Sequence, residues 1–150
     1  MQMTGIRIAA RLALVALVAL SAGCNMLSFK DPMHHEDTFT DAMRQFTQAV
    51  RWGNFNGASK FVVDEQRDEF LELAPEISDV RFTDYEILAT DLNEERNAAT
   101  VDVIFTGYRL TSPISRSIRL HQKWKRTGGA EWKVTVELGP MREALGLAAK

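Results

Sequence analysis

Asp102 and His121 are the two side chains in this sequence best suited to moving a proton. A carboxylate beside an imidazole orients the ring and favours its charged form, the arrangement general acid–base catalysis uses. Each lies in a stretch where apolar and polar residues alternate. A two-residue turn at Thr111-Ser112 would set the two residues directly opposite each other. The same register crowds Arg119, Lys123 and Lys133 around them on a polar face, with nothing to keep water out. A solvated ion pair, worth ~0–1 kcal/mol, suits those surroundings better than a catalytic dyad. His34-His35-Glu36-Asp37 has the ligand types of a metal site. Adjacent residues at the entrance to a domain do not converge on one ion, so no metal is expected there. Ser112, Ser115 and Ser117 have no activating partner in their local sequence, and Gly128-Gly129 reads as a turn, not a phosphate loop. No catalytic group and no cofactor is expected.

The elements that would hold these residues follow from periodicity. Asp37 or Thr38 can cap a first helix, along which Phe39, Ala42, Met43, Phe46, Ala49 and Val50 form one apolar face, and Gly53 ends it. A second helix starts near Asn54, with Phe55, Ala58, Phe61 and Val62 turned inward. A third runs from Asp64 to about Ala74, closed by Pro75, burying Phe70, Leu71 and Leu73. From Val80 the period becomes two. Val101, Val103 and Phe105 mark one strand, Ile118, Leu120 and Trp124 the next, and Trp132, Val134, Val136 and Leu138 the last. Arg81 to Thr90 is a less regular first strand, giving an antiparallel meander of four. A two-residue loop at Gly128-Gly129 would place Trp124 against Lys133, on conflicting faces. The core therefore demands a loop of odd length there, built around a glycine bulge, with Trp124 across from Trp132 or Val134.

The N-terminus carries a different kind of information. Arg7 and Arg11 precede nine apolar residues, Leu12 to Leu20, and then small residues, the layout of an export signal. Nine residues fall short of the roughly 20 a membrane-spanning helix needs. The run ends Leu20-Ser21-Ala22-Gly23-Cys24, which resembles the lipobox of bacterial lipoproteins, except that Ser21 stands where that family usually has leucine. The resemblance implies that the Cys24 thiol carries a diacylglycerol and that the chain is cut before it. Residues 1–23 would be the signal peptide, 24–36 a lipidated tether and 37–150 the folded domain. Two or three acyl chains, at ~0.8 kcal/mol per buried CH₂, would hold such a chain on the bilayer. Asn25 is not the aspartate that in similar proteins favours the inner membrane, so the implied address is the periplasmic face of the outer membrane. Cys24 is the single cysteine, which leaves stability to packing alone.

The signal holds two of the 18 basic residues and none of the 20 acidic ones. A mature chain that is mildly acidic is a poor nucleic-acid binder. Residues 64–95 hold twelve acids against Arg67 and Arg81, whereas 97–126 hold only Asp102 against six basic residues. The simple reading is that these surfaces adjoin and compensate.

Helices followed by a curled four-stranded meander resemble the NTF2-like, cone-shaped α+β fold. Arg51-Trp52-Gly53-Asn54-Phe55 at a helix end, then Ala58 and Phe61, and a closing Trp132-Lys133-Val134 strand carry the likeness over about residues 37–138. Members of that superfamily include isomerases, dehydratases, ligand binders and interaction modules, and fold alone does not choose among them. The catalytic ones work inside the cone. The inward polar candidates here are Gln122, between Leu120 and Trp124, and Tyr85, if the first strand pairs in phase; Asp84 would turn inward only out of phase. Tyr85, Gln122 and Trp124 could orient a small apolar or anionic ligand but supply no base. The leading expectation is therefore a non-catalytic, outer-membrane lipoprotein that binds an envelope protein, with an outer sheet face available for a homodimer. A ligand carrier is the first alternative and an isomerase- or lyase-like enzyme the second.

Overall fold

The structure, a computed structural model, describes residues 35–147, with side chains from Thr38 onward. Cys24, the signal and His34 lie outside the described residues, as do the side chains of His35, Glu36 and Asp37. Among the described residues no helix is long and apolar enough to cross a membrane.

The chain folds as α1 (His35–Arg51), α2 (Phe55–Ser59), α3 (Asp64–Glu76), β1 (Val80–Leu92), β2 (Ala98–Arg109), β3 (Ser112–Gly128), β4 (Glu131–Val136) and α4 (Leu138–Ala144). The four strands form one antiparallel sheet in the order β1-β2-β3-β4. An α+β fold of N-terminal helices on a meander is what the periodicity predicts. Phe39, Met43, Phe46 and Val50 of α1 are buried, as expected for its apolar face. The helix begins at His35, two residues ahead of the nearer expected cap. Gly53 ends it with φ +69°, its amide bonding to Val50 and the Asn54 amide to Ala49, both at the carbonyl oxygen. Asn54 then caps α2 by accepting from the Gly57 amide at 2.9 Å.

Several expectations need correction. Pro75 does not close α3 at Ala74; the helix continues to Glu76. Pro75 has no N–H to give the carbonyl four residues earlier, but the Ile77 amide still bonds the Leu73 carbonyl, which carries the last turn past it. Leu71 is half-buried while Phe70 and Leu73 are fully enclosed. Leu138 belongs not to β4 but to α4, an element the sequence pattern does not predict. Arg142 fastens that helix to Glu76 at 2.6 Å, and Arg109 holds both Asp79 and the Leu145 carbonyl.

The registers test the hairpin arguments directly. Phe105 faces Ile118 and Val103 faces Leu120, as the apolar faces require. The turn itself differs: Arg109 pairs with Ser112, so the loop is Leu110-Thr111 and not Thr111-Ser112. An irregularity between Gly107 and Arg109 shifts the register by two residues and so leaves every side chain on its expected face. At the next hairpin Trp124 faces Val134, and Gly128 pairs with Glu131 after a shift that leaves Thr127 as the extra residue. The loop itself is two residues, Gly129-Ala130, and not of the expected odd length; the Thr127 bulge supplies the odd offset the core demands, with Gly129 at φ +54° in the turn. β1 shifts register twice, at Thr83 and Leu88. Beside the first shift, a Cβ on Gly107 would lie 2.7 Å from the Arg81 carbonyl oxygen, so only glycine lets the strands approach.

The two sheet edges are treated differently. β4 is covered: the Val63 amide donates to the Val134 carbonyl, the Val134 amide donates to the Phe61 carbonyl, and the Gln66 side-chain amide pairs with both backbone groups of Val136. β1 is the open edge.

Candidate functional site

The inner face of the sheet meets the helices over an aromatic core. Trp124 is 2 % exposed, with Phe39 and Phe46 packed edge-on to it at 5.9 and 5.7 Å and Phe61 at 6.5 Å. Phe39 also leans on Trp132 at 5.0 Å, and the Trp132 indole donates to Thr38. Rings at these separations fill the space between α1 and the sheet.

Of the three sequence-derived ligand candidates, the fold brings two together. Gln122 is fully buried, and its Oε1 accepts from the Trp124 indole N–H at 2.9 Å. The i, i+2 spacing puts both on one face of β3, as the sequence predicts. Gln122 Nε2 is buried without a protein partner, as is Thr47 Oγ1. Tyr85 pairs with Phe105 in the in-phase register, half-buried with its ring 6.0 Å from Phe105, and Asp84 is exposed. It stands apart from the other two. Gln122 shares its row with Val101, whereas Tyr85 shares one with Phe105, four residues further along β2, or roughly 13 Å. The buried polar residues described are Thr47, Ser59, Gln122 and Arg142. They can donate, accept or carry positive charge, but none is an acid–base group poised near neutrality.

On the outer face, Asp102 sits opposite His121. Its Oδ1 lies 2.8 Å from His121 Nδ1 and its Oδ2 takes a bond from Arg119 Nη2 at 2.6 Å. The Arg119 bond, then the His121 bond, hold the Asp102 carboxyl below its ordinary value of 3.8. Both oxygens are thus engaged by neighbouring side chains, which makes Asp102 a poor base. Glu137 is next across the sheet from His121, donating its amide to the His121 carbonyl, and its carboxylate pairs with Lys123 at 3.1 Å. Ile104 and Tyr108 on this face are half-buried, not exposed. Arg109 of the basic stretch reaches Asp79 of the acidic one, so the two charge blocks compensate at that point.

One feature escaped the pattern-based reading. A cleft of about 530 Å³ opens between the ends of α1 and α3 and the start of β1, with Arg51, Trp52 and Arg81 on its lining. The sequence showed only a helix end at Arg51-Trp52. No periodicity links it to Arg81, thirty residues on.

Comparison with solved structures places this architecture. A ketosteroid isomerase-like protein from Erwinia carotovora atroseptica superposes with a TM-score of 0.54 at 13% identity, over 70% of this chain and 92% of that one. The fold is NTF2-like. A SEC-C motif containing protein from Rhodopseudomonas palustris matches with a TM-score of 0.53 at 17% identity, over 64% of this chain and 74% of its own. An NTF2-like protein of unknown function in nutrient uptake, from Rhodospirillum rubrum, matches at 0.50 and 14% identity, over 63% and 90%. No protein-family model and no curated protein matches the sequence. Identities this low carry the NTF2-like fold and not an activity.

Proposed function

We propose that the chain is a lipoprotein on the periplasmic face of the outer membrane, anchored through lipid on Cys24. In this reading its NTF2-like domain is a non-catalytic module that binds an envelope protein. The observation that carries the second half is the aromatic filling of the cone, where Phe39, Phe46 and Phe61 close on Trp124. An enzyme of this shape would need room and a proton acceptor in that place. The first half rests on the charged, apolar and small segments that lead to Cys24. Cys24→Ser tests the anchor. The variant should leave the outer-membrane fraction, and its intact mass should lack the lipid. Retention in that fraction with no change in lipid mass would end this reading.

A small-ligand carrier is the second reading. Gln122 Nε2 favours it, being a buried donor without a protein acceptor, and the Trp124 ring lies beside it. Tyr85 would join such a site only at its far end. The outer sheet face, with Ile104 and Tyr108 beside the Asp102 cluster, is where a second copy would pair.

A further inference from the structure

The arginines of this domain are held in different ways. Arg44, Arg67, Arg109, Arg119 and Arg142 each hold a carboxylate. Arg51, Arg81 and Arg116 bond backbone carbonyls, and of these Arg51 and Arg81 line one cleft. A guanidinium has five N–H donors. Arg51 spends Nη2 on the Thr83 carbonyl at 2.5 Å, and its Nε is buried with no partner. Arg81 spends Nη1 on the carbonyls of Ser78 and Val80, each at 2.9 Å. Of the carboxylates near Arg81 in the chain, Asp79 is held by Arg109 and Glu76 by Arg142, and Asp84 accepts from the Tyr85 amide. Arg51 and Arg81 therefore stand together with spare donors, and no carboxylate is on the lining of the cleft they share. Capping a few carbonyls explains one nitrogen of each and leaves the buried Nε unexplained.

Both arginines line the cleft of about 530 Å³, within the roughly 300–1,000 Å³ typical of small-ligand sites. Phe55, Ile77, Val80 and Phe82 line its apolar part. Trp52 stands at its mouth, 74 % exposed, with the Arg51 guanidinium 4.9 Å from its ring centroid. An exposed tryptophan held by a cation is costly to leave in water and well placed to cover a bound apolar group. We propose that this cleft binds an amphiphilic anion. Its apolar tail lies against Ile77, Val80 and Phe82, and its carboxylate or phosphate head is held by Arg51 and Arg81. The site is separate from the filled interior and does not depend on the lipid anchor.

The test uses the full chain and follows the fluorescence of Trp52, with Trp52→Phe to identify its signal against buried Trp124 and Trp132. Octanoate and octyl phosphate should each give a saturable blue shift. The tighter of the two identifies the head, a fatty carboxylate or a lipid-type phosphate. Octanol and octylammonium should bind at least about tenfold more weakly, and Arg81→Gln should weaken both anions about tenfold. Arg51→Gln should do the same; if losing its bond to Thr83 prevents folding, Arg81→Gln alone decides, because Arg81 bonds only carbonyls of its own turn. Equal binding of octanol, no saturable shift with either anion, or undiminished affinity in a folded Arg81→Gln variant would overturn the proposal. So would a blue shift that grows with protein concentration without probe, since a second copy would then fill the cleft.

Discussion

Trp124 receives edge-on contacts from Phe39 and Phe46 and donates its indole N–H to Gln122, so one side chain joins the helical layer to the sheet and satisfies the buried Gln122 Oε1. Trp124→Ala should cost about 3–5 kcal/mol through the cavity, nearer the top because Gln122 Oε1 loses its donor. Urea denaturation checks this, and a loss under about 1 kcal/mol would mean the core re-forms around the gap. Asp102 gives a pH-dependent counterpart. Arg119 first and His121 second lower its carboxyl pKa in the folded chain, so the folded state binds that proton less tightly than the unfolded one. The stabilisation is complete above the ordinary value of 3.8 and drains away as the pH falls through the lowered folded value. Urea midpoints of Asp102→Asn and the parent should therefore differ near neutral pH and converge in strong acid. A gap of constant size across that range would rule out the carboxylate as its source.

At the scale of elements, strand phase was legible because each face of a strand has one solvent. Val103, Phe105, Ile118 and Leu120 can be buried together in only one phase, and that phase is observed. The turn residues were less legible. Moving the turn by one position shifts the register by two, which keeps every side chain on its face, and the irregularity between Gly107 and Arg109 takes up the difference. What protects β4 was not legible at all. Gln66 lies 70 residues from Val136, yet its side-chain amide replaces a neighbouring strand. Gln66→Ala should remove both bonds, destabilise by about 1–3 kcal/mol and speed amide exchange at Val136. Unchanged exchange there would show that Val62 and Val63 guard the edge alone.

For the whole molecule, sheet edges and sheet faces offer different routes to association. β4 is covered, and β1 is spoiled for strand pairing by its two shifts and by Asp84, Glu86 and Asp91. The proposed homodimer would therefore use the outer face. Ile104→Lys should then lower the sedimentation coefficient of a parent dimer to that of a monomer. A parent that already sediments as a monomer at high concentration would remove the homodimer from consideration.

What the sequence by itself determined is local: which residues alternate, where α1 stops at Gly53, how many strands follow, and the run of residues before Cys24 from which an address is proposed. Each of these depends on neighbours within a few positions, whose solvent exposure is written in their polarity. Tertiary structure decided the rest. α4 exists because Arg142 finds Glu76 and Leu138 finds the core. Gln122 is tolerated because Trp124 donates to it. The arginine-rimmed cleft forms only where the ends of α1 and α3 meet the start of β1. Those meetings join residues far apart in the chain, and no periodicity records a distance that packing alone sets.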